Sequence, residues 1–264
     1  MLVLGLDTST QVCALGIVDL DRGVTLAVSA APVGPRQGER LLANLDCLLI
    51  EAGLGFCDLG AFAVSIGPGS FTGLRVGMAT TKGLAFALGL PVAGVPTLEA
   101  LAEAALALPG PDLEAGTLLW PCLDARRGEV HSQPFEIVVE ATSRPRLRPL
   151  REVSCGTPED LIAELMSSST RRNLLIGDGP GRYPALADVG ARVLSLVHCP
   201  PDGAVVARLG ARQLAADRAA CSPGALAVLY VQTTDAERGR QEGRLGGRTP
   251  FGGSGRPRVG ATTG

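Results

Sequence analysis

Short apolar runs rich in Val, Ile and Leu alternate along the chain with longer stretches whose apolar positions recur every three or four residues. Leu2 to Leu6, Val12 to Val18 and Val24 to Ser29, separated by turn residues, read as the strands of an antiparallel meander. From Gly34 to Gly53, Leu41, Leu42, Leu45, Leu48, Leu49 and Ala52 fall at helical spacing, with Gly53 as the C-cap. A strand over Ala61 to Ile66 leads through a glycine-rich loop into a helix from about Thr72 to Leu88. A short strand from Pro91 and an Ala-rich helix from Leu98 to Leu108 follow. After Pro109 to Gly116 the pattern restarts, and a second lobe is expected from there. It has strands over Thr117 to Leu123 and Glu129 to Val139 around a turn at Asp124 to Gly128, and a helix over Pro158 to Met166 capped by Thr157. Strands at Asn173 to Ile176 and Val193 to Val197 come next. A helix over Ala204 to Asp217 turns Val205, Leu209 and Leu214 inward, and a strand over Ala225 to Val231 returns to the first lobe. The expected division is residues 1–110 with 204–237 in one lobe and 111–203 in a smaller one.

From Arg238 to Gly264 glycine and arginine alternate with almost no large apolar residue. Such a segment cannot offset its ordering entropy by burial, and a disordered tail is expected. Its six arginines against Glu242 give +5, which leaves −7 on the rest of a 264-residue chain whose total is −2. The folded part is therefore acidic and unlike a free-standing nucleic-acid binder. The basic tail is either a solvated extension or a contact to RNA. Seven cysteines without a CxxC pair read as buried small hydrophobes in a reducing compartment, neither a disulfide frame nor a zinc site. The opening MLVLGLDTS lacks a basic region and reaches Asp7 after five apolar residues, so it reads as a strand rather than a signal peptide. The apolar run from Gly83 to Leu90 stops at Pro91, far short of the ~20 residues that span a bilayer. A soluble, cytoplasmic protein with no membrane partner is expected.

The stretch from Ser65 to Pro91, SIGPGSFTGLRVGMATTKGLAFALGLP, holds the candidate chemistry. Gly67, Gly69 and Gly73 permit positive φ and close backbone approach, Pro68 fixes a turn, and Ser70 or Thr72 can cap the helix that follows. Such a loop either cradles an anion at a helix N-terminus or is a tight connection without a ligand. A Walker A loop is excluded, because the nearby lysine, Lys82, lies well inside the helix and precedes Gly83. The glycines are one residue too widely spaced for a dinucleotide fingerprint, and the strand from Pro91 to Val95 ends without the carboxylate that would hold a ribose. A nicotinamide-dependent oxidoreductase is thereby disfavoured.

LGLDTST at the start, GPGSFTGLRVG in the middle, LDARRGEV at the opening of the second lobe and LYV near Tyr230 occur in an order that closely resembles the TsaB (YeaZ) family. That family supplies the accessory subunit of the bacterial tRNA threonylcarbamoyladenosine biosynthesis complex. The resemblance spans about Met1 to Val231. It implies an α/β, actin-like (ASKHA, ribonuclease H-like) two-lobed fold, with mixed sheets flanked by helices and the first lobe closed by the last strand. In catalytic members of the superfamily an Asp followed by hydroxyl residues holds magnesium through water. Asp7, Thr8 and Ser9 match that form and, with Gly67, Gly69 and Ser70, make a candidate vestigial nucleotide or anion site. The other reading of Asp7 is a strand-end turn in which it accepts backbone amides. Gly177 to Gly179 stands where an adenosine-binding pair would, and is equally an ordinary turn.

The sister subunit TsaD carries a motif of the form HHMEGH, with metal-binding histidines four apart on one helical face. Here the corresponding segment is Val95 to Leu101, and Thr97 and Leu101 stand at the ligand positions. No metal site and no catalytic residue are therefore assigned. His131 and His198 have no neighbour at ligand spacing, and no GxSxG elbow is present. The chain departs from the family's RxHSExLLP pattern, with Gln37 and Gly38 at the His-Ser pair and Ala43 at the proline. It keeps Tyr230 of a terminal PxYxR without the proline and arginine. The implied function is that of a non-catalytic dimerisation subunit. It binds and activates TsaD, with TsaE as a further partner, and tRNA is reached through the complex. ATP and a metal ion sit on the partner subunits, and a homodimer forms when TsaD is absent. The expected interface uses Leu41, Leu45, Leu48, Gly73, Val76, Gly77 and Thr80. The alternative is an independent actin-like phosphotransferase or peptidase using Asp7 and the glycine loop.

Overall fold

The computed structural model describes residues 1–32, 37–108, 114–139, 145–168, 170–189, 191–195, 199–217 and 221–231, with the side chains of 37–39 left aside. The stretch expected to be a disordered tail, 238–264, lies outside them, as does His198. The described residues belong to one compact unit, Met1–Val231.

Strands β1 (Leu2–Asp7), β2 (Val12–Asp19) and β3 (Val24–Pro32) form the expected meander. Helix α1 (Gln37–Glu51) follows, ending at Gly53 with φ +68°. Next come β4 (Leu59–Gly67), α2 (Phe71–Leu88), β5 (Val92–Pro96) and α3 (Thr97–Leu106). The first sheet has the order β3-β2-β1-β4-β5, antiparallel from β1 outward to β3 and parallel from β1 through β4 to β5. That order, with helices on both faces, is the actin-like, ribonuclease H-like α/β arrangement.

The inner strands β1, β2 and β4 are buried on both faces, which is why they read as continuous apolar runs rather than alternating ones, whereas the edge strand β3 is largely exposed. The period of two sorts them. Leu4, Leu6, Phe62 and Val64 pack on one side with Leu41, Leu45, Leu48 and Leu49 of α1 and Met78 of α2. Val3, Ala61, Ala63 and Ala93 pack on the other, with α3 and a helix from late in the chain.

That late helix is α6 (Gly203–Ala216), capped by Asp202, whose Oδ1 accepts from the Ala204 amide at 2.7 Å. Gly5 and Gly16 are cross-strand partners. A Cβ on Gly5 would stand 2.0 Å from the Gly203 carbonyl oxygen, one on Gly16 2.2 Å from the Ala204 nitrogen, and one on Gly203 2.2 Å from the Leu15 carbonyl carbon. Helix and sheet thus meet backbone against backbone. The sequence pattern located α6 by Val205, Leu209 and Leu214, but not the glycines by which it seats.

The second sheet is built from β6 (Leu118–Arg126), β7 (Glu129–Ser132), β8 (Phe135–Val138), β9 (Arg146–Pro149), β10 (Ser154–Gly156), β11 (Asn173–Ile176) and β12 (Arg192–Leu194). Helices α4 (Pro158–Ser167) and α5 (Gly179–Arg182) complete it, and the order is β10-β7-β6-β11-β12, with β8 joining β6 to β9. The single strand expected over Glu129 to Val139 is two, broken at Gln133 and Pro134, where proline lacks the amide a ladder requires. The same core cluster that holds Ala63 and Ala93 extends through α3 and α6 to Leu119, Phe135 and Leu174 of this sheet.

The strand expected over Ala225 to Val231 is not formed, and with it goes the closure of the first lobe by a last strand. Its rung on the sheet, the Leu229 amide on the Ile66 carbonyl at 2.8 Å, falls where β4 is about to turn into the glycine loop. No ladder remains there to extend. Among the described residues no helix is long and apolar enough to cross a membrane. The cysteines form no disulfide among themselves; Cys13, Cys122, Cys199 and Cys221 are buried as expected, whereas Cys47 and Cys57 are exposed.

Gly16→Val places branched carbons where α6 now lies. It is expected to lower stability by at least ~2 kcal/mol, an overpacking cost that backbone contact leaves little room to relax. Urea denaturation read by circular dichroism checks this.

Candidate functional site

Strand β1 delivers Asp7 to its carboxyl end, beside the ends of β4 and the start of α2. Asp7 is wholly buried and accepts from the Ser9 amide at 2.8 Å, from Ser9 Oγ at 2.6 Å and from Ser65 Oγ. Burial raises its pKa above the ordinary carboxylate value, against the three hydrogen bonds, which favour the charged form. Of the two readings of Asp7, the geometry supports the turn that binds its own backbone.

The glycine loop faces the same turn. The Ser70 amide donates to the Ser9 carbonyl at 2.6 Å, and Thr8 Oγ1 donates to the Gly73 carbonyl at 2.8 Å. A Cβ on Gly69 would lie 2.3 Å from the Ser9 oxygen, one on Gly73 2.0 Å from the Thr8 oxygen, and one on Gly77 2.2 Å from Thr8 Oγ1. Gly67, at φ +115°, faces the Leu229 carbonyl, which a Cβ would meet at 2.9 Å. Ser70 is the N-cap, its Oγ accepting from the Gly73 amide at 3.2 Å.

The loop therefore spends its close approaches on the chain's own carbonyls. The candidate anion-site residues Asp7, Thr8, Ser9, Gly67, Gly69 and Ser70 are thus brought together at one end of the first sheet, with the turn packed on the loop. Asp7, Thr8 and Ser9 are buried, and the space above Gly69 and Gly73 that a phosphate would enter holds the Thr8 and Ser9 backbone.

The expected interface residues are likewise redistributed. Leu41, Leu45 and Leu48 are buried between α1 and the first sheet, and Gly73 and Gly77 lie against the β1–β2 turn, so these five serve the core. Val76 and Thr80 are half-buried. What α1 and α2 present outward is Leu42 and Ile50, 53% and 73% exposed, with Phe71 and Phe86, 49% and 83% exposed. Near the start of α2 the Arg75 guanidinium lies 3.8 Å from the centre of the Phe71 ring, and its Nε donates to Tyr230 Oη at 3.2 Å. Helical spacing groups residues by face but does not say which face is inward. Leu41 and Leu42 are equally apolar, and only packing separates them.

In the second sheet Asp124 pairs with Arg126 at 3.7 Å and accepts from Tyr183 Oη at 3.1 Å, while the Asp124 amide donates to Asp178 at 2.9 Å. Burial raises the Asp178 pKa. Gly177, at φ +122°, is packed so that a Cβ would meet the Cys122 carbonyl oxygen at 2.3 Å. The Gly177 to Gly179 turn is thus seated on β6. His131 is buried, its Nδ1 has no partner, and burial pushes its pKa down to about 4. Thr97 and Leu101 are buried in α3. Among the described residues no group of three His, Cys, Asp or Glu side chains is placed to hold a metal ion.

Three substitutions follow from this geometry. Asp7→Ala leaves the Ser9 amide without its acceptor and is expected to cost ~1–3 kcal/mol. In the wild type, Asp7 titrates higher folded than unfolded, so its charge opposes folding at neutral pH. That penalty is relieved as the pH falls through the raised pKa. Asp7→Asn should remove this pH dependence, checked by urea midpoints at neutral and mildly acid pH. Gly77→Leu drives a side chain into Thr8 and Leu6, and the expected result is a lowered melting temperature in the isolated chain.

Comparison with known proteins gives these features a setting. A family model described as "TsaD: tRNA N6-adenosine threonylcarbamoyltransferase" matches residues 36–147. The chain is 41% identical over 132 residues to an uncharacterized protein of Mycobacterium leprae, an alignment covering 49% of this chain and 34% of that one. It therefore spans about a third of that relative's length. It is 32% identical over 187 residues to the tRNA threonylcarbamoyladenosine biosynthesis protein TsaB of Haemophilus influenzae, covering 69% of this chain and 73% of the relative. The solved structure of YeaZ from Pseudomonas aeruginosa superposes with a TM-score of 0.71 over 87% of this chain and 99% of that one, at 24% identity, and shares the fold. With nearly three quarters of a curated TsaB matched above 30% identity, and with the GPGSFTGLR loop seated on the LGLDTST turn, the chain belongs to the TsaB family.

Proposed function

We propose that this chain is an accessory subunit in tRNA threonylcarbamoyladenosine biosynthesis, pairing with and activating a TsaD-type threonylcarbamoyltransferase without carrying out the chemistry itself. ATP and the metal ion are then held by the partner subunits, TsaE among them, tRNA is engaged through the assembled complex, and the work is done in the cytoplasm. Family membership supports the pathway. The observation that carries the pairing is the outward face of α1 and α2. These two helices pack on each other, and together they expose Leu42, Ile50 and Phe86, with the Phe71, Arg75 and Tyr230 cluster near the start of α2. Scattered apolar residues on a surface need no explanation, but aromatic and arginine side chains beside aliphatic ones are the composition of interface centres. A second copy of the chain is the occupant of this face when TsaD is absent.

Phe86→Glu tests the pairing, because a side chain so exposed contributes nothing to the core. The expected outcome is an unchanged melting curve with at least tenfold weaker association with TsaD, read by co-elution and by tRNA modification in the reconstituted complex. Undiminished pairing would move the interface elsewhere. The isolated chain is expected to show no peptidase, kinase or threonylcarbamoyl-transfer turnover. A metal-dependent turnover that vanishes in Asp7→Ala while that variant stays folded would refute the accessory role.

A further inference from the structure

A cavity of about 530 Å³ lies where the first turns of α3 meet the β8–β9 hairpin and the strand-end at Val153, with Arg212 of α6 also on its wall. Its volume lies within the range of small-molecule sites. Phe135, Leu147 and Val153 supply apolar wall, and Glu99, Glu103, Glu152, Arg146 and Arg212 supply charge. The charges do not cancel, because three carboxylates stand against two guanidiniums. Arg212 is engaged by Glu103 at 3.1 Å. Gln133 donates one of its two amide N–H bonds to the Arg151 carbonyl at 2.9 Å and brings no charge to set against the carboxylates. Arg146 and Glu152 are exposed, at the mouth.

What remains is Glu99, half-buried and without a hydrogen bond or ion pair among the described residues. Burial and the neighbouring Glu103 both disfavour its charge, and Arg212 offsets them only in part. A carboxylate partly withdrawn from water and lacking a donor is costly unless a cation joins it. An anionic guest would meet the excess negative charge, and an uncharged one could at most donate a hydrogen bond to Glu99 without offsetting its charge. A guest that brings N–H donors on a positive head and carbon behind it satisfies both the carboxylate and the apolar wall.

We propose that this cavity binds a small primary ammonium compound, with Glu99 as its counter-ion and Phe135, Leu147 and Val153 against its carbon chain. The site is independent of the α1–α2 face and of the pairing proposed for it.

Pentylamine, titrated into the full chain by calorimetry, is the probe, with 1-pentanol as the uncharged match. The expected result is saturable one-to-one binding of the amine, none of the alcohol, and at least tenfold weaker amine binding in Glu99→Gln. That variant should melt no lower than the wild type, since it loses a disfavoured charge. Leu147→Trp, which fills the cavity and leaves Glu99 in place, should abolish binding as well and covers the case of a poorly folded Glu99→Gln. Absence of saturable amine binding to the wild type, equal binding of amine and alcohol, or unaltered binding in the folded variants would each overturn the assignment.

Discussion

Contact between main chains at the carboxyl end of the first sheet governs the candidate site. The Thr8 and Ser9 carbonyls press onto Gly69 and Gly73, and Thr8 Oγ1 onto Gly77, at separations that leave no volume for a Cβ. Two consequences come from this one constraint. The β1–β2 turn and the glycine loop fix each other, so α2 leaves the sheet at a set angle with Ser70 as its cap. The space over Gly69 and Gly73 is filled by the chain's own carbonyls, and Asp7 organises its own turn. The glycines that read as an anion cradle also serve as the joint between turn and loop.

The same device recurs on the opposite face of the sheet. Gly5, Gly16 and Gly203 let α6 lie on β1 and β2 without intervening side chains, and Gly210 meets Ala63 with a Cβ-equivalent separation of 2.4 Å. A helix placed so close brings Arg212 and the first turns of α3 toward the second sheet, where one continuous core joins the two. Glycine in these positions forfeits side-chain burial, and the helix-to-sheet distance it permits is what allows Ala204, Val206 and Ala207 to be fully enclosed.

Much of the architecture was legible because the elements are long and their periods distinct. The meander, α1, α2, α3, α4 and α6 fall within a few residues of where apolar spacing and caps put them. The failures have local causes. Pro134 splits one apolar run into two strands, and the short polar strands Arg146–Pro149 and Ser154–Gly156 carry no periodic signal at all. Ala225 to Val231 has strand composition but finds the ladder already finished. At the site, glycine spacing correctly marked where backbones come close, yet spacing cannot say whether the approaching group is a phosphate or a carbonyl. Leu41 beside Leu42 poses the same difficulty for the helix faces, since inward and outward leucines are chemically identical until something is packed against them.

The segment after Pro223 illustrates how little regular structure is needed to close a core. Leu226 inserts among the residues beneath α1 and α2, its Cδ1 lying where a Cβ on Gly94 would come within 2.8 Å. Leu229 covers Gly67, and Tyr230 reaches Arg75. A strap held by one rung, one buried leucine and one phenol thus seals the back of the glycine loop. For anyone trimming the chain, the smallest fragment that keeps Gly67 covered and Arg75 paired runs through Tyr230, although no helix or strand marks the boundary there.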